Sequence, residues 1–457
     1  MRASSYKKEV REQYEKYPFP LRDPEEERKR LHVCALDMPA KLNHYCYAGR
    51  QSFNDEFRVL VAGGGAGDTT IYLGEALRGR NVEIVHVDIS TSSIAIAKKR
   101  AHVRRLKGIT WINESVLDLP SLGLGSFDYI NCAGVLHHLE DPDAGLRALV
   151  SSLKDVGAMG LMVYGRYGRL DLYATQDLMR LVNKATTKLA ERVANAKAVL
   201  RCLPPSNILL RGRHRQDVEA MFLADDSNIY DALLHEQDAP FTVPEVYEFV
   251  ERAGLKMISF TNYRNDAGIC RLEYDLHLHL GSDPELTARM RRLPKRDQEA
   301  VAEAVNGGIG LHSFYVAKDE RRPVSFADPN VIPCFLTAGA ETICRAIAEK
   351  PEASVTVHLR NSLDVSVSLD RISSAALRLV DGRRTMRSIS DTISADFMLR
   401  GKPVDQDQVV KALTEDFELL NAFNWLVGRT DEGVFFPPIP DVAYFRATID
   451  DGTGPPD

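Results

Sequence analysis

Short apolar runs without polar alternation recur along the first third of the chain, each followed by a turn and then by a segment of helical spacing. Phe57–Val61 reads as a strand covered on both faces and Val82–Val87 as a second buried strand, the signature of a parallel sheet flanked by helices, and Ile109–Ile112, Phe127–Gly134 and Gly160–Tyr164 read as the third, fourth and fifth strands. Thr69–Leu77, Ile94–Leu106 and Ala144–Leu153 read as the intervening helices, the last opened by Asp141-Pro142. The alternation predicts an α/β architecture.

Ahead of it, Lys7–Tyr17 has helical charge spacing until Pro18 and Pro20 break it. Beyond it, residues 171–232 read as helical without repeats. Thr242 and Glu245 form a capping box opening a helix that Gly254 ends, and Lys256–Phe260 reads as an edge strand. Leu276–Leu280 (LHLHL) alternates as a half-buried strand or extended arm, placing His277 and His279 on one face with no third metal ligand. Leu311–Ala317 reads as the last strand. A charged, proline-bearing linker over 319–329 leads to a second unit: strand-like SVTVHL and LDVSVSL, helices Ile372–Leu379, Met386–Ile393 and Gln406–Leu420, and an apolar exit at Phe423–Val427. The tail after Pro437 is expected to be disordered.

Composition narrows the class. At 457 residues the chain suffices for two or three domains. A net charge of −6 with pI near 6.1 disfavours a nucleic-acid backbone as partner. Arg211–Arg215 is a basic stretch that reads as a solvated face or as a contact for an acidic partner. The seven cysteines form no C-x-x-C pair, as in a reduced, cytoplasmic protein. No apolar run approaches the roughly 18 residues of a membrane span.

The chemistry begins where the first strand meets Gly63-Gly64-Gly65-Ala66-Gly67-Asp68. Glycines there let the backbone turn tightly and approach a ligand, and the following helix aims its N–H groups at the turn. Asp68 stands where a dinucleotide fingerprint wants its last glycine, and no lysine completes a phosphate loop. An acid there repels pyrophosphate but accepts from a cationic or hydroxylated ligand, and S-adenosylmethionine has an ammonium, a sulfonium and a ribose without phosphate.

Asp88, about twenty residues on at a strand's C-terminal end, suits two ribose hydroxyls. The competing role is a helix cap, which Ser90–Ser93 can fill instead. Ser115 and Val116 are candidates for the adenine edge, against an ordinary strand exit. His137 and His138 follow the fourth strand; adjacent side chains diverge, so they read as a base or substrate contact, or as packed helix-start histidines, and not as a metal pair. Tyr164, Arg166 and Tyr167 lie at the carboxyl end of the fifth strand, where ligands of open α/β sheets sit. Tyr14, Tyr17 and Phe19, set around prolines, form either an apolar lid over a substrate or a packed arm.

Together VLVAGGGAG, VHVDIS and FDYINCAGVLHHLEDP resemble class I S-adenosylmethionine-dependent methyltransferases. Gln13–Pro20 (QYEKYPFP) and Leu233–Phe260 are similar to bacterial methyltransferase domains often fused to tetratricopeptide repeats, over about residues 8–318. The resemblance implies a Rossmann-like seven-stranded, mostly parallel sheet with helices on both faces and an antiparallel last strand. It implies Gly63, Gly65 and Gly67 at the methionine end and Asp88 on the ribose. Ile89 would pack on adenine, with Ser115 and Val116 at its edge, and Cys132 and Ala133 would present backbone near the sulfonium. Val61 stands where that family usually has an acid, leaving Asp68 or carbonyls for the ammonium; Ser115 replaces another acid and predicts a weaker adenine contact.

The expected organisation is an N-terminal helical lid over 1–50 and a methyltransferase domain over 51–320 with a helical insertion near 171–235. A small α+β winged-helix-like domain over 330–430, resembling modules that bind proteins, and a tail over 438–457 follow. The expected activity is methyl transfer from S-adenosyl-L-methionine to an unidentified acceptor, protein or carrier-bound ahead of a free metabolite, by in-line displacement that chiefly needs positioning. His137, His138 and Tyr164 are the candidate bases. The alternatives are a non-catalytic cofactor-binding regulator and, behind it, a nicotinamide-dependent dehydrogenase.

Overall fold

The computed structural model describes residues 8–211, 213–262, 271–350, 354–358, 364–440 and 446–450. Gly212, Cys270 and much of the tail lie outside the described residues. The chain divides into two compact units, one holding residues 1–33, 56–255 and 306–313, the other 34–55, 256–305 and 314–457.

The apolar runs become strands β1 (Phe57–Ala62), β2 (Val82–Val87), β3 (Ile109–Ile112), β4 (Phe127–Ala133) and β5 (Leu153–Tyr164), with β6 (Lys256–Thr261) and β7 (Leu311–Ala317) completing one sheet. Its order is β3-β2-β1-β4-β5-β7-β6. The β1–β2, β2–β3, β1–β4 and β4–β5 ladders are parallel. Val59, Leu60 and Val61 are almost wholly buried, as an unalternating run requires. Strand order reverses between β1 and β4, and a crevice outside the carboxyl ends of the strands at such a point is where ligands of open sheets bind.

The helix Lys8–Lys16 ends before the prolines as expected. Helices Leu170–Val182, Leu189–Cys202, Arg215–Leu223 and Asp226–Leu233 form the insertion, with their own core of Met179, Val193, Leu200, Phe222, Ile229 and Leu233.

Three expectations are corrected. β5 begins at Leu153, because Leu153 pairs with Phe127 across a register shift that the run Gly160–Tyr164 does not reveal. Leu276–Leu280 is a short helix and not a strand: Asp275 caps it by accepting from the His277 N–H at 2.8 Å, and a local cap overrides five residues of alternation. His277 and His279 therefore do not share a face. Within the tail, residues 446–450 form a strand, β12, where disorder was expected. It pairs antiparallel with Ser354–His358 (β9), which also pairs with Asp364–Ser368 (β10); the unpaired edge of β9 supplies the backbone partners.

In the second unit, Ile332–Phe335 (β8) pairs antiparallel with Leu426–Arg429 (β11). Helices Ala338–Glu349, Arg371–Leu377, Met386–Leu399 and Gln406–Ala422 enclose a core containing Ile389, Leu413, Phe417, Leu420 and Trp425. Among the described residues, no helix is long and apolar enough to cross a membrane.

Candidate active site

At the carboxyl end of β1 the chain turns on Gly63, Gly65 and Gly67, all in the left-handed region with φ of 70°, 52° and 92°. The N–H groups of Gly63 and Gly64 donate to Val87 O at 2.8 and 3.1 Å, tying the turn to the end of β2. A Cβ on Gly63 would stand 2.3 Å from Val135 Cγ2, and one on Gly65 would stand 2.9 Å from Phe19 O. The turn is thus flanked by the chain leaving β4 and by the Pro18–Pro20 segment.

Asp88 lies beside this turn and is 8% exposed. Its Oδ2 accepts from Gly65 N–H at 2.7 Å and its Oδ1 from Ser90 N–H at 2.8 Å. Burial pushes its carboxyl up to about 6 despite those two hydrogen bonds. The cap of helix Thr91–Val103 falls to Ser90, whose Oγ accepts from Ser93 N–H at 3.1 Å. Glu15, from the N-terminal helix, accepts from the N–H and hydroxyl groups of Thr91 and Ser92 at the same helix end. Burial alone would raise the Glu15 carboxyl; these donors hold it at about 2.

Asp68 is not an open acceptor. Arg22 donates to it from Nε at 2.9 Å and from Nη2 at 2.6 Å, and Arg100 Nη1 donates at 2.7 Å. Burial opposes ionisation, but the two guanidiniums hold the carboxyl well below the usual range. Both Asp68 oxygens are thus already engaged by arginines, so an ammonium accepted there would share the carboxylate with Arg22 and Arg100. Ser115 Oγ also has a task, accepting from Leu117 N–H at 3.2 Å as the cap of a 3-10 turn. Val116 and Cys132 are buried, whereas Ile89 and Ala133 are half-buried.

The chain leaving β4 makes a 3-10 turn over Leu136–His138, with His138 N–H donating to Val135 O at 2.9 Å. Both histidines are buried and their ring centroids are 4.1 Å apart. His137 faces the Tyr164 ring at 3.9 Å, and His138 stacks on His235 at 3.7 Å. Burial, helped by His138 and Arg169, holds the His137 ring well below its usual value. Tyr164 Oη and Tyr14 Oη donate to the two oxygens of Asp231 at 3.1 and 3.2 Å. His235 Nδ1 accepts from Gln237 N–H, so its Nε2 carries the proton and donates to Tyr14 Oη at 3.3 Å. The Arg169 guanidinium lies 3.5 Å from the Tyr164 ring centroid.

The structure therefore brings together His137, His138, Tyr164 and Tyr14. It sets Tyr17 apart, stacked on Tyr230 at 5.4 Å. Arg166 pairs with Glu245 at 2.8 Å, and Tyr167 is exposed. Asp231, His235, Asp238 and Arg169 were not foreseen. For His235 and Asp238 the signal available was the stretch Leu233–Phe260 that carried the resemblance; Asp231 and Arg169 lie outside it. One sequence argument is overturned: adjacent histidines do converge, because one ring nitrogen of His137, one of His138 and one oxygen of Asp238 lie within 4.8 Å of one another.

Residues 60–159 match a family described as a methyltransferase domain. An uncharacterized protein of Synechococcus sp. is 28% identical over 273 residues, covering 59% of this chain and 62% of that protein. The ubiquinone biosynthesis O-methyltransferase of Xanthomonas campestris pv. campestris is 29% identical over 132 residues, 28% of this chain and 53% of the enzyme. The chain thus spans less than two thirds of the length of these relatives. PKMT2 from Rickettsia typhi, solved in complex with AdoHcy, has a similar fold at TM-score 0.59 and 15% identity, over 87% of this chain and 76% of that one. With the sheet order, the glycine turn and the β2 acid, the match over residues 60–159 supports a class I S-adenosylmethionine-dependent methyltransferase domain in this part of the chain.

Proposed function

We propose that the protein transfers a methyl group from S-adenosyl-L-methionine to an acceptor seated beside His137, His138 and Tyr164. The observation that carries this reading is Asp88: a buried carboxylate at the carboxyl end of β2, braced by Gly65 and Ser90, with lone pairs left for two ribose hydroxyls. Gly63, Gly65 and Gly67 give the methionine end a close backbone approach, with Cys132 and Ala133 across the β1–β4 crevice near the sulfonium. Ile89, Ser115 and Val116 flank the adenine, Ser115 through its backbone because its hydroxyl caps a turn. Displacement at the methyl needs the acceptor in line and water excluded. Tyr14, tied to Asp231 and His235, is the lid residue best placed to exclude it. The His137 imidazole, kept neutral by burial, carries a free lone pair toward an acceptor's proton.

Within this reading the acceptor is a protein or carrier-bound group ahead of a free metabolite, and the C-terminal unit is an accessory, winged-helix-like partner module. Support comes from its helices Met386–Leu399 and Gln406–Ala422 running into β11, without a concentrated basic face. A reduced, cytoplasmic setting agrees with the six described cysteines, all free.

Incubating the protein with methyl-labelled cofactor and an extract separated into macromolecular and low-mass fractions tests the acceptor class. Label in the protein fraction is expected. Label only at low mass would overturn the protein preference, and none in either, with cofactor binding intact, would favour a non-catalytic regulator.

A further inference from the structure

The free atoms around His137 have a definite chemistry. His138 Nδ1 faces the Gln237 carbonyl at 2.9 Å and must donate to it, so in the neutral ring Nε2 is bare. That Nε2 is buried and has no partner. Both ring nitrogens of His137, itself fully buried, also lack partners. Asp238 has a side chain 0% exposed; Gln176 donates to its Oδ2 at 3.3 Å, while its Oδ1 is buried and makes no hydrogen bond within 3.5 Å, with the Tyr173 hydroxyl the neighbour that couples to this carboxylate. Three orphaned acceptors in one buried place are costly unless something fills them.

From this we propose that His137, His138 and Asp238 form a binding site for a divalent transition-metal ion. Two imidazoles and one carboxylate are a donor set for zinc, iron(II) or cobalt(II) that leaves coordination positions open. The surroundings have the form such sites take. The Gln237 carbonyl fixes the His138 tautomer, and Gln176 orients Asp238 through the oxygen not used for binding. Arg169, with Nη2 3.9 Å from Asp238 Oδ2, opposes a cation, and the Asp231 carboxylate close by offsets it. Metal binding stands independently of methyl transfer; a role in holding an acceptor oxygen through an open position rests on the methyltransferase reading.

The test is titration of tag-free, chelator-treated full-length protein with Co²⁺, followed by its ligand-field absorption and by calorimetry. S-adenosylhomocysteine binding is measured on the same samples. One equivalent of Co²⁺ should bind, His137→Ala should abolish it, and Asp238→Asn should weaken it at least about 100-fold. Gln176→Leu, which leaves all three donors in place, should weaken it by about tenfold. No stoichiometric uptake by the unmodified protein, or uptake equal in all variants, would overturn the site and leave the histidines as hydrogen-bond acceptors. Retained S-adenosylhomocysteine binding alongside absent Co²⁺ uptake would count against the metal alone.

Discussion

At the scale of single residues, Asp88 decides most. If Asp88 holds the ribose as proposed, the ribose hydroxyls favour its ionised form, and with burial pushing its carboxyl up to about 6, S-adenosylhomocysteine should bind about tenfold more weakly at pH 5 than at pH 7.5. A pH-independent affinity would argue against a carboxylate contact. The stability sign is opposite: with the folded value above the ordinary 3.8, this group's contribution is fully present below that value and is lost as pH rises through about 6. Gly63 offers a steric test. Gly63→Ala should cost about 1–3 kcal/mol in urea unfolding, from positive φ and the clash with Val135, and Val135→Ala should restore part of it. Asp88 and the glycines were legible because a short run of sequence supplies the whole turn. The cluster around Tyr164 was legible only in part: Tyr14, His138 and Tyr164 stood out in the sequence, whereas Asp231, which accepts from both tyrosines, comes from a separate segment that only packing brings near them. Asp68 misled for the same reason: its partners Arg22 and Arg100 are far away in sequence, and they close an acceptor that looked open.

At the scale of elements, the N-terminal segment is fastened to the helix Thr91–Val103 by polar contacts. Glu15→Gln removes a helix-capping carboxylate and should cost about 1 kcal/mol. Asp68→Asn should cost more, about 3–5 kcal/mol, because Arg100 is 1% exposed and loses one of its carboxylate partners. Arg22→Leu, whose charge is a quarter exposed, should cost less; the reverse ranking in urea unfolding would show that the lid and not the buried arginine dominates. Strands β1, β2 and β4 were readable since burial on both faces leaves near-continuous apolar runs, whereas the edge strand β3 is only half-buried. LHLHL was misread because five residues cannot separate period two from a capped turn, and β12 was missed because its partner strand lies about ninety residues away in sequence.

At the scale of the molecule, each unit has its own core and holds one of the two tryptophans, Trp111 in β3 and Trp425 in the second unit. S-adenosylhomocysteine at about 100 times its Kd should stabilise the first unit by about 2.7 kcal/mol. The shift should appear in the emission that Trp111→Phe removes; a shift confined to the remaining Trp425 signal would locate the ligand elsewhere. The α/β half was legible from its strand and turn grammar, while the two-unit division was not, because residues 34–55 and 256–305 group with a distant part of the chain. The most direct test of the account is calorimetric titration of the full chain with S-adenosylhomocysteine beside Asp88→Ala. Micromolar binding that vanishes in the variant is predicted. Binding that survives the substitution would contradict the ribose anchor, and no binding by the unmodified protein would contradict the proposed activity itself.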